Sequence, residues 1–219
     1  MHSNHLVSRP VRWSLVVALA SLLGGCQFQG DGIEASESRT TGPFRSVHVR
    51  AGLEAEIHQG PFSVVVHGDS NILPHVLTTV HGDRLDVEPD VSFEEVRPLR
   101  IVVTAPEFDE LFLEAGGRLD VVDVVEDELS LRCRAGGDVF ASGDVEHLHI
   151  NQSAGGNIDA SALDATDVSM AGSAGGELDV RASHAVEGTI ESGSLARVHG
   201  DPEIKNVTTK SGGEVVYEE

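Results

Sequence analysis

The chain has few cysteines, few aromatic residues and few basic residues. Of its 219 residues 2 are Cys and 4% are aromatic, and 15 Lys+Arg stand against 36 Asp+Glu, so the formal net charge is −21. Two cysteines cannot form a disulfide framework or a structural zinc site. The shortage of cations argues against binding to nucleic acid and against electrostatic docking on anionic lipid. The hydrophobic content of 40% is nevertheless enough for a packed core.

One uncharged, mostly apolar run lies near the N-terminus, from Trp13 to Leu23. It is too short for a transmembrane helix, which needs about 20 residues. With Arg9 and Arg12 before it, the run has the size and charge of a secretory signal peptide over residues 1–25. The run ends in Leu-Gly-Gly followed by Cys26, which resembles a bacterial lipobox.

The lipobox implies that Cys26 becomes the first residue of the mature protein and carries acyl chains, so that its partner is a membrane. The alternative is an ordinary secretory signal followed by an incidental cysteine. An Asp directly after the lipidated Cys favours retention in the inner membrane. With Gln27 at that position, the sequence resembles lipoproteins of the outer membrane, which lie on either the periplasmic or the surface side of that membrane. Residues 26–42 are rich in Gly, Ser, Thr and acidic residues, which predicts a flexible tether.

A glycine motif recurs through the C-terminal half of the chain. Ala-Gly-Gly occurs four times, followed by Ser-Gly-Ser and Ser-Gly-Gly, and the middle glycines step by 20, 19, 20, 18 and 19 residues. Apolar and polar residues alternate between the motifs, which is typical of strands with one buried face. Glycine suits sharp corners because it adopts backbone angles that a side chain forbids. The predicted corner glycines are Gly116, Gly136, Gly155, Gly175, Gly193 and Gly212.

Strands and corners with a period near 19 predict an all-β fold, a β-solenoid with one coil per repeat over residues 106–217. No segment has apolar residues at helical spacing, no Asn ladder of a leucine-rich repeat is present, and calcium-binding nonapeptide repeats are shorter. Residues 43–105 are strand-like but lie outside the repeat, with a polar loop at Glu88–Pro98. The strands predicted there are Phe44–Val49, Leu53–His58, Phe62–His67, Val76–Val80, Leu85–Val87 and Leu99–Thr104.

Four segments carry a resemblance to a known family: Gly42–Val49, Gly68–Leu73, Val80–Val87 and Leu99–Pro106. With the serial glycine corners, residues 43–217 resemble the auto-transporter adhesin head GIN domain family of bacterial envelope proteins. The resemblance implies a β-solenoid of the right-handed β-helix type with an irregular N-terminal β portion. It implies no catalytic residue. Corners of the family are typically Ser-Gly-Ser-Gly, so the four Ala-Gly-Gly corners here lack hydroxyls that could contact a ligand.

Acidic residues recur at one position of the repeat, namely Asp120, Asp159 and Asp179, with Phe140 interrupting the series. Stacked carboxylates could supply oxygen ligands to Ca2+. The alternative is a solvated acidic face, which we prefer because it keeps an exported protein soluble. The neighbouring acids in these repeats are Asp138, Glu177 and Glu214.

Few other residues are candidates for metal binding or catalysis. His147 and His149 point the same way on a predicted strand, but the sequence nominates no further ligands for a metal site. Cys133 is in phase with Leu129 and Leu131 and is predicted to lie in the core, where a thiol is unreactive. The histidines upstream show no acid at ligand spacing. We therefore assign no catalytic residue, no metal and no cofactor.

Together these features predict a non-enzymatic, lipid-anchored protein of the cell envelope that acts in binding or adhesion or as structural material. Two alternatives stay open, a carbohydrate-active solenoid enzyme and a Ca2+-dependent adhesive module. The enzyme is disfavoured because the chain after the signal peptide has no Trp, one Tyr, Tyr217, and two lysines, Lys205 and Lys210. Such a set of side chains is poor for stacking on sugars or binding an anionic polysaccharide.

Overall fold

The computed structural model describes residues 28–218, which form β-strands and one 3-10 turn at Leu73–His75. None of the described residues form a helix with the length and apolar character needed to span a bilayer. The strands are β1 (Phe28–Gln29), β2 (Glu34–Arg39), β3 (Ser46–Arg50), β4 (Glu54–Gln59), β5 (Ser63–Asp69), β6 (Val76–His81), β7 (Arg84–Pro89), β8 (Phe93–Glu94), β9 (Arg100–Ala105), β10 (Glu110–Glu114), β11 (Arg118–Arg134), β12 (Asp138–Ser153), β13 (Asn157–Ser173), β14 (Glu177–Glu191), β15 (Leu195–His199), β16 (Ile204–Lys210) and β17 (Glu214–Glu218).

Strands β11 to β14 each form one coil of a β-solenoid, which confirms the predicted fold class. Each is 15 to 17 residues long and bends midway, so it has a first limb after one glycine corner and a second limb before the next. Successive strands pair in parallel, so that Leu119 pairs with Val139 and Val139 with Ile158. Equivalent apolar side chains therefore form columns inside the coils, and these columns make one continuous core.

The corners combine positive backbone angles with very close stacking. The six predicted corner glycines have φ between 80° and 89°, and the Ala or Ser before each of them also has positive φ, between 49° and 64°. The third corner residue is the most constrained sterically. A Cβ on Gly117 would lie 2.1 Å from the carbonyl oxygen of Leu53 in the coil below, whereas the nearest atom to a Cβ on Gly116 is 3.8 Å away.

The regular stacking begins earlier than the repeat in the sequence indicates. Ala51 and Gly52 turn the chain with φ of 57° and 81°, as Ala115 and Gly116 do with 64° and 86°. On either side of this corner, β3 pairs in parallel with β10 and β4 pairs in parallel with β11. Residues 46–59 are therefore one more coil, placed directly beneath the first coil of the repeat.

Antiparallel strands close the N-terminal end of the solenoid. Strand β6 pairs with β7, β5 pairs with β9, and β2 pairs with β5, all antiparallel. These pairings interrupt the parallel series, so no further coil can be added on this side. At the opposite end β16 and β17 are edge strands, with Ile204 49% and Tyr217 40% exposed.

The predicted flexible tether over residues 26–42 is wrong for the part that the structure describes. Phe28–Gln29 is a strand paired with β8, and Glu34–Arg39 is a strand paired with β5 over six residues. Each strand of this segment is an edge strand, paired on one side only. Its order comes from backbone hydrogen bonds, which do not require apolar side chains. The composition of the segment could not reveal these pairings.

Two neighbouring glycines separate the effects of backbone angle and stacking. Both Gly116 and Gly117 have positive φ, so Gly116→Ala should reduce the free energy of unfolding by about 1 kcal/mol through backbone strain alone. Gly117→Ala adds the clash with Leu53 and should cost about 3 kcal/mol or more. Urea unfolding of the two variants measures the difference. Equal losses would contradict the close stacking of the corners.

Candidate functional site

The predicted lipid-attachment residue, Cys26, lies outside the described residues 28–218. The described chain begins two residues later, in β1, and is held there by side chains of the turn that follows β5. The Asn71 side-chain amide donates to the carbonyl of Gln29, and its oxygen accepts from the N–H of Asp31, both at 2.9 Å. Ser70 donates its backbone N–H to the carbonyl of Ile33 at 2.8 Å and its hydroxyl to the Asp31 carboxylate at 2.5 Å. The hydrogen bond from the Ser70 hydroxyl, and next the one from the backbone N–H of Ile33, lower the pKa of the Asp31 carboxyl.

Asp69 joins the same segment to the loop between β7 and β9. Its side chain is fully buried and accepts a backbone hydrogen bond from Gly32 at 2.9 Å. The other carboxylate oxygen accepts from the N–H groups of Val96 at 2.7 Å and Arg97 at 3.1 Å. Backbone donors thus satisfy a buried carboxylate that would otherwise be costly. The clamp, as used below, is Asp69, Ser70 and Asn71.

A cluster of stacked side chains covers the outer face of the second limbs near the N-terminal end. Phe112 on β10 lies between His48 on β3 and Arg132 on β11, because these three residues are neighbours in the sheet register. The rings of His48 and Phe112 stack with centroids 4.3 Å apart. The guanidinium groups of Arg132 and Arg134 lie 4.8 and 5.5 Å from the Phe112 ring, which is cation–π geometry. The arginine–aromatic cluster is His48, Phe112, Arg132 and Arg134.

His48 is buried among charged groups from its own strand β3 and from the neighbouring strands β7 and β10. Its Nε2 lies 3.0 Å from the Glu114 carboxylate, and its Nδ1 lies 3.0 Å from the Arg50 guanidinium and 3.5 Å from Asp86. Burial, and next the charge of Arg50, lower the pKa of His48 to about 4. A neutral imidazole carries its proton on only one of these two nitrogens. The spacing of acids in the sequence did not reveal these partners, because Asp86 and Glu114 lie far from His48 in the chain.

The predicted His147–His149 pair is divided between two carboxylates. His147 Nδ1 lies 3.4 Å from Asp167, and His149 Nε2 lies 3.3 Å from Glu128. Asp167 also accepts a hydrogen bond from His184 at 2.7 Å, which raises the pKa of that histidine. The groups line a surface cleft of about 320 Å³. Within residues 28–218, no group of three or more His, Cys, Asp or Glu is arranged to hold a metal ion.

The predicted aspartate column is present as a row of the sheet. Asp120 pairs with Phe140, Phe140 with Asp159, and Asp159 with Asp179. Each carboxylate in the row hydrogen-bonds to a side chain of the protein, so the row is not a free set of oxygen ligands. The partners are Arg118 for Asp120, Ser161 for Asp159 and Arg197 for Asp179.

Comparison with known proteins gives a family. Residues 43–202 match the family described as "Putative auto-transporter adhesin, head GIN domain". The chain belongs to this family. Among curated proteins, no sequence is similar enough to this head GIN domain protein to count as a match.

Solved structures share the fold of this head GIN domain protein. A "putative adhesin" of Bacteroides fragilis is 17% identical, with a TM-score of 0.65, over 87% of this chain and 100% of that chain. A "putative lipid binding protein" of Parabacteroides distasonis is 17% identical, with a TM-score of 0.57, over 88% and 100%. A "putative adhesin" of the same species is 16% identical, with a TM-score of 0.54, over the same shares. At these identities the likeness concerns the fold alone.

Cys133 of the head GIN domain lies in the core, as its phase in the sequence predicts. It is 1% exposed, and its Sγ lies 3.3 and 3.4 Å from the carbonyl oxygens of Gly136 and Gly137. A Cβ on Gly156 would lie 2.3 Å from this sulfur, so the thiol packs against the next corner. Burial raises its pKa to about 11, which keeps the thiol protonated and unreactive at neutral pH.

Two histidines of the head GIN domain should have pKa values that are shifted in opposite directions from the ordinary value. We expect His48 to titrate near pH 4 and His184 above the ordinary value of 6.5, as measured by NMR of the imidazole resonances. Stability from neutral His48 is present above pH 6.5 and is lost as the pH falls toward 4. Stability from protonated His184 is present below pH 6.5 and is lost as the pH rises through its raised pKa.

Asp167→Asn provides the matched control for this titration. It removes the carboxylate that holds His184 protonated, so the pKa of His184 should fall while that of His48 stays near 4. A His48 pKa close to 6.5 in the wild-type protein would show that the burial and the charge of Arg50 do not act as described.

Proposed function

We propose that this protein is a lipoprotein of the bacterial cell envelope, held by acyl chains on Cys26, whose solenoid binds a surface ligand without catalysing a reaction. The observation that carries the proposal is the lipobox ending at Cys26, two residues before the clamped strand β1. A signal peptide cleaved at that point leaves a folded domain directly at the lipid. Gln27 favours the outer membrane as the destination.

The family supports the binding role. It is described as an adhesin family, and adhesion requires a presented surface rather than a catalytic centre. Two side chains that often act in catalysis are both buried here. Burial keeps Cys133 protonated and His48 neutral, by raising the pKa of the first to about 11 and lowering that of the second to about 4.

The outer face of the second limbs of β12, β13, β14 and β16 is the surface that we propose for binding. It is a parallel sheet face whose side chains repeat at the strand spacing of about 4.8 Å. Beside charged and imidazole side chains such as Glu187 and His149, its outward positions carry hydroxyl and amide groups that can donate and accept hydrogen bonds. These residues are Asn151, Ser153, Ser169, Ser173, Thr189, Asn206 and Thr208.

Replacement of the anchor residue tests the lipid attachment. Cys26→Ala should abolish acylation and move nearly all of the protein from the membrane fraction to the soluble fraction, because the acyl chains supply the anchoring energy at about 0.8 kcal/mol per buried CH2. Mass spectrometry of the N-terminal peptide and detergent phase partition measure the change. The fold should be unaffected, as judged by circular dichroism.

Cys133→Ala is the control for the loss of a cysteine. It removes the buried thiol, so it should lower stability while leaving acylation and membrane association intact. A wild-type protein that is cleaved but carries no lipid would contradict the proposed anchoring.

A further inference from the structure

Exposed apolar side chains are concentrated at the N-terminal end of the domain. Phe28 is 36%, Ile33 is 62%, Val91 is 37% and Val96 is 54% exposed. All four lie in the N-terminal segment or in the loop that it pairs with, between β7 and β9. We call these four residues the N-terminal apolar surface.

Hydrogen bonds and close packing connect the members of this surface. The Phe28 N–H donates to the carbonyl of Ser92 at 3.3 Å, next to Val91. A Cβ on Gly32 would lie 3.4 Å from a methyl of Val96, which brings Val96 beside the residue that precedes Ile33. The four residues therefore lie on two segments that are distant in the sequence but adjacent in the structure.

The clamp makes this surface rigid. Asp69 binds the backbone of both segments at once, through Gly32 on one side and through Val96 and Arg97 on the other. Asn71 binds Gln29, immediately after Phe28. The apolar side chains thus have fixed positions relative to the point where the chain enters the domain.

The length of chain before β1 determines what this surface can reach. One residue, Gln27, separates Phe28 from Cys26, and the two peptide units between their Cα atoms span at most about 7 Å. Acyl chains on Cys26 would therefore bring the N-terminal apolar surface to the bilayer interface. Contacts made there add to an existing covalent attachment, so even weak ones are favoured by a high effective concentration.

The charges around the surface indicate which lipid it can face. Glu94 and Glu95 lie in the loop, and Asp31 lies in the N-terminal segment, with Arg97 as a nearby cation. The excess of negative charge is repelled by anionic headgroups and is tolerated by zwitterionic ones.

From these observations we infer that Phe28, Ile33, Val91 and Val96 lie against a bilayer of zwitterionic phospholipid and fix the orientation of the solenoid on the membrane. This inference rests on the proposed lipid anchor at Cys26. It adds a noncovalent contact surface, which a flexible tether would not provide.

Site-specific labels in the lipidated full-length protein test the contact. Cys26 is acylated in the proposed form and Cys133 is buried, so one introduced surface cysteine is the only reactive thiol. Ile33→Cys and Val96→Cys place an environment-sensitive fluorophore on the surface. Val125→Cys and Ile204→Cys are matched controls, because these apolar residues are 64% and 49% exposed elsewhere on the domain.

The labelled proteins are reconstituted in phosphatidylcholine–phosphatidylethanolamine vesicles that contain a lipid with a nitroxide quencher on its acyl chain. We expect labels at positions 33 and 96 to lose fluorescence and labels at positions 125 and 204 to keep it. Adding anionic phosphatidylglycerol should weaken the quenching at 33 and 96.

The other outcomes separate the inference from the proposed function. A protein that is acylated by mass but shows no quenching at positions 33 and 96, or equal quenching at all four positions, overturns the inference and leaves the lipid anchor intact. A protein that carries no lipid overturns both.

Discussion

Parallel hydrogen bonding between successive coils is the constraint on which the rest of the structure depends. It holds neighbouring backbones about 4.8 Å apart, so each residue is placed directly over its equivalent in the coil below. Apolar residues then form internal columns, such as Leu129, Leu148 and Val168. The corners must be stacked just as closely, and for this reason a Cβ on Gly176 would lie only 2.2 Å from the carbonyl oxygen of Gly156. The glycine period in the sequence is thus a direct consequence of backbone pairing.

The same constraint explains which features of the solenoid could be predicted from the sequence and which could not. Alternation and the glycine period predict the repeat, its corners and the burial of Cys133 because each signal is local. The corner at Ala51 and Gly52 has no such signal. The cap strands β5 to β9 separate it from the next corner, and its third residue is Leu53 rather than glycine.

Contacts between strands that are distant in the chain could not be predicted from the sequence alone. His48 meets Glu114 across 66 residues, and the clamp residue Asp69 meets Gly32 across 37 residues. Both depend on the register of strands that are joined through long connections, and no local pattern specifies that register. The failure to predict an ordered N-terminal segment has this cause, because its partners lie in β5 and in the loop after β7.

The direction of the coil stack relates the two ends of the molecule to the proposed function. Along the outer face of the second limbs, eight strands follow one another from β7 to β16, a length of ~34 Å at the usual strand spacing. The arginine–aromatic cluster lies on β3, β10 and β11, near the clamped end. The hydroxyl and amide residues of the proposed binding surface lie on the later coils. In a protein anchored at Cys26, those later coils are the ones presented away from the membrane, so a ligand on another surface would meet them first.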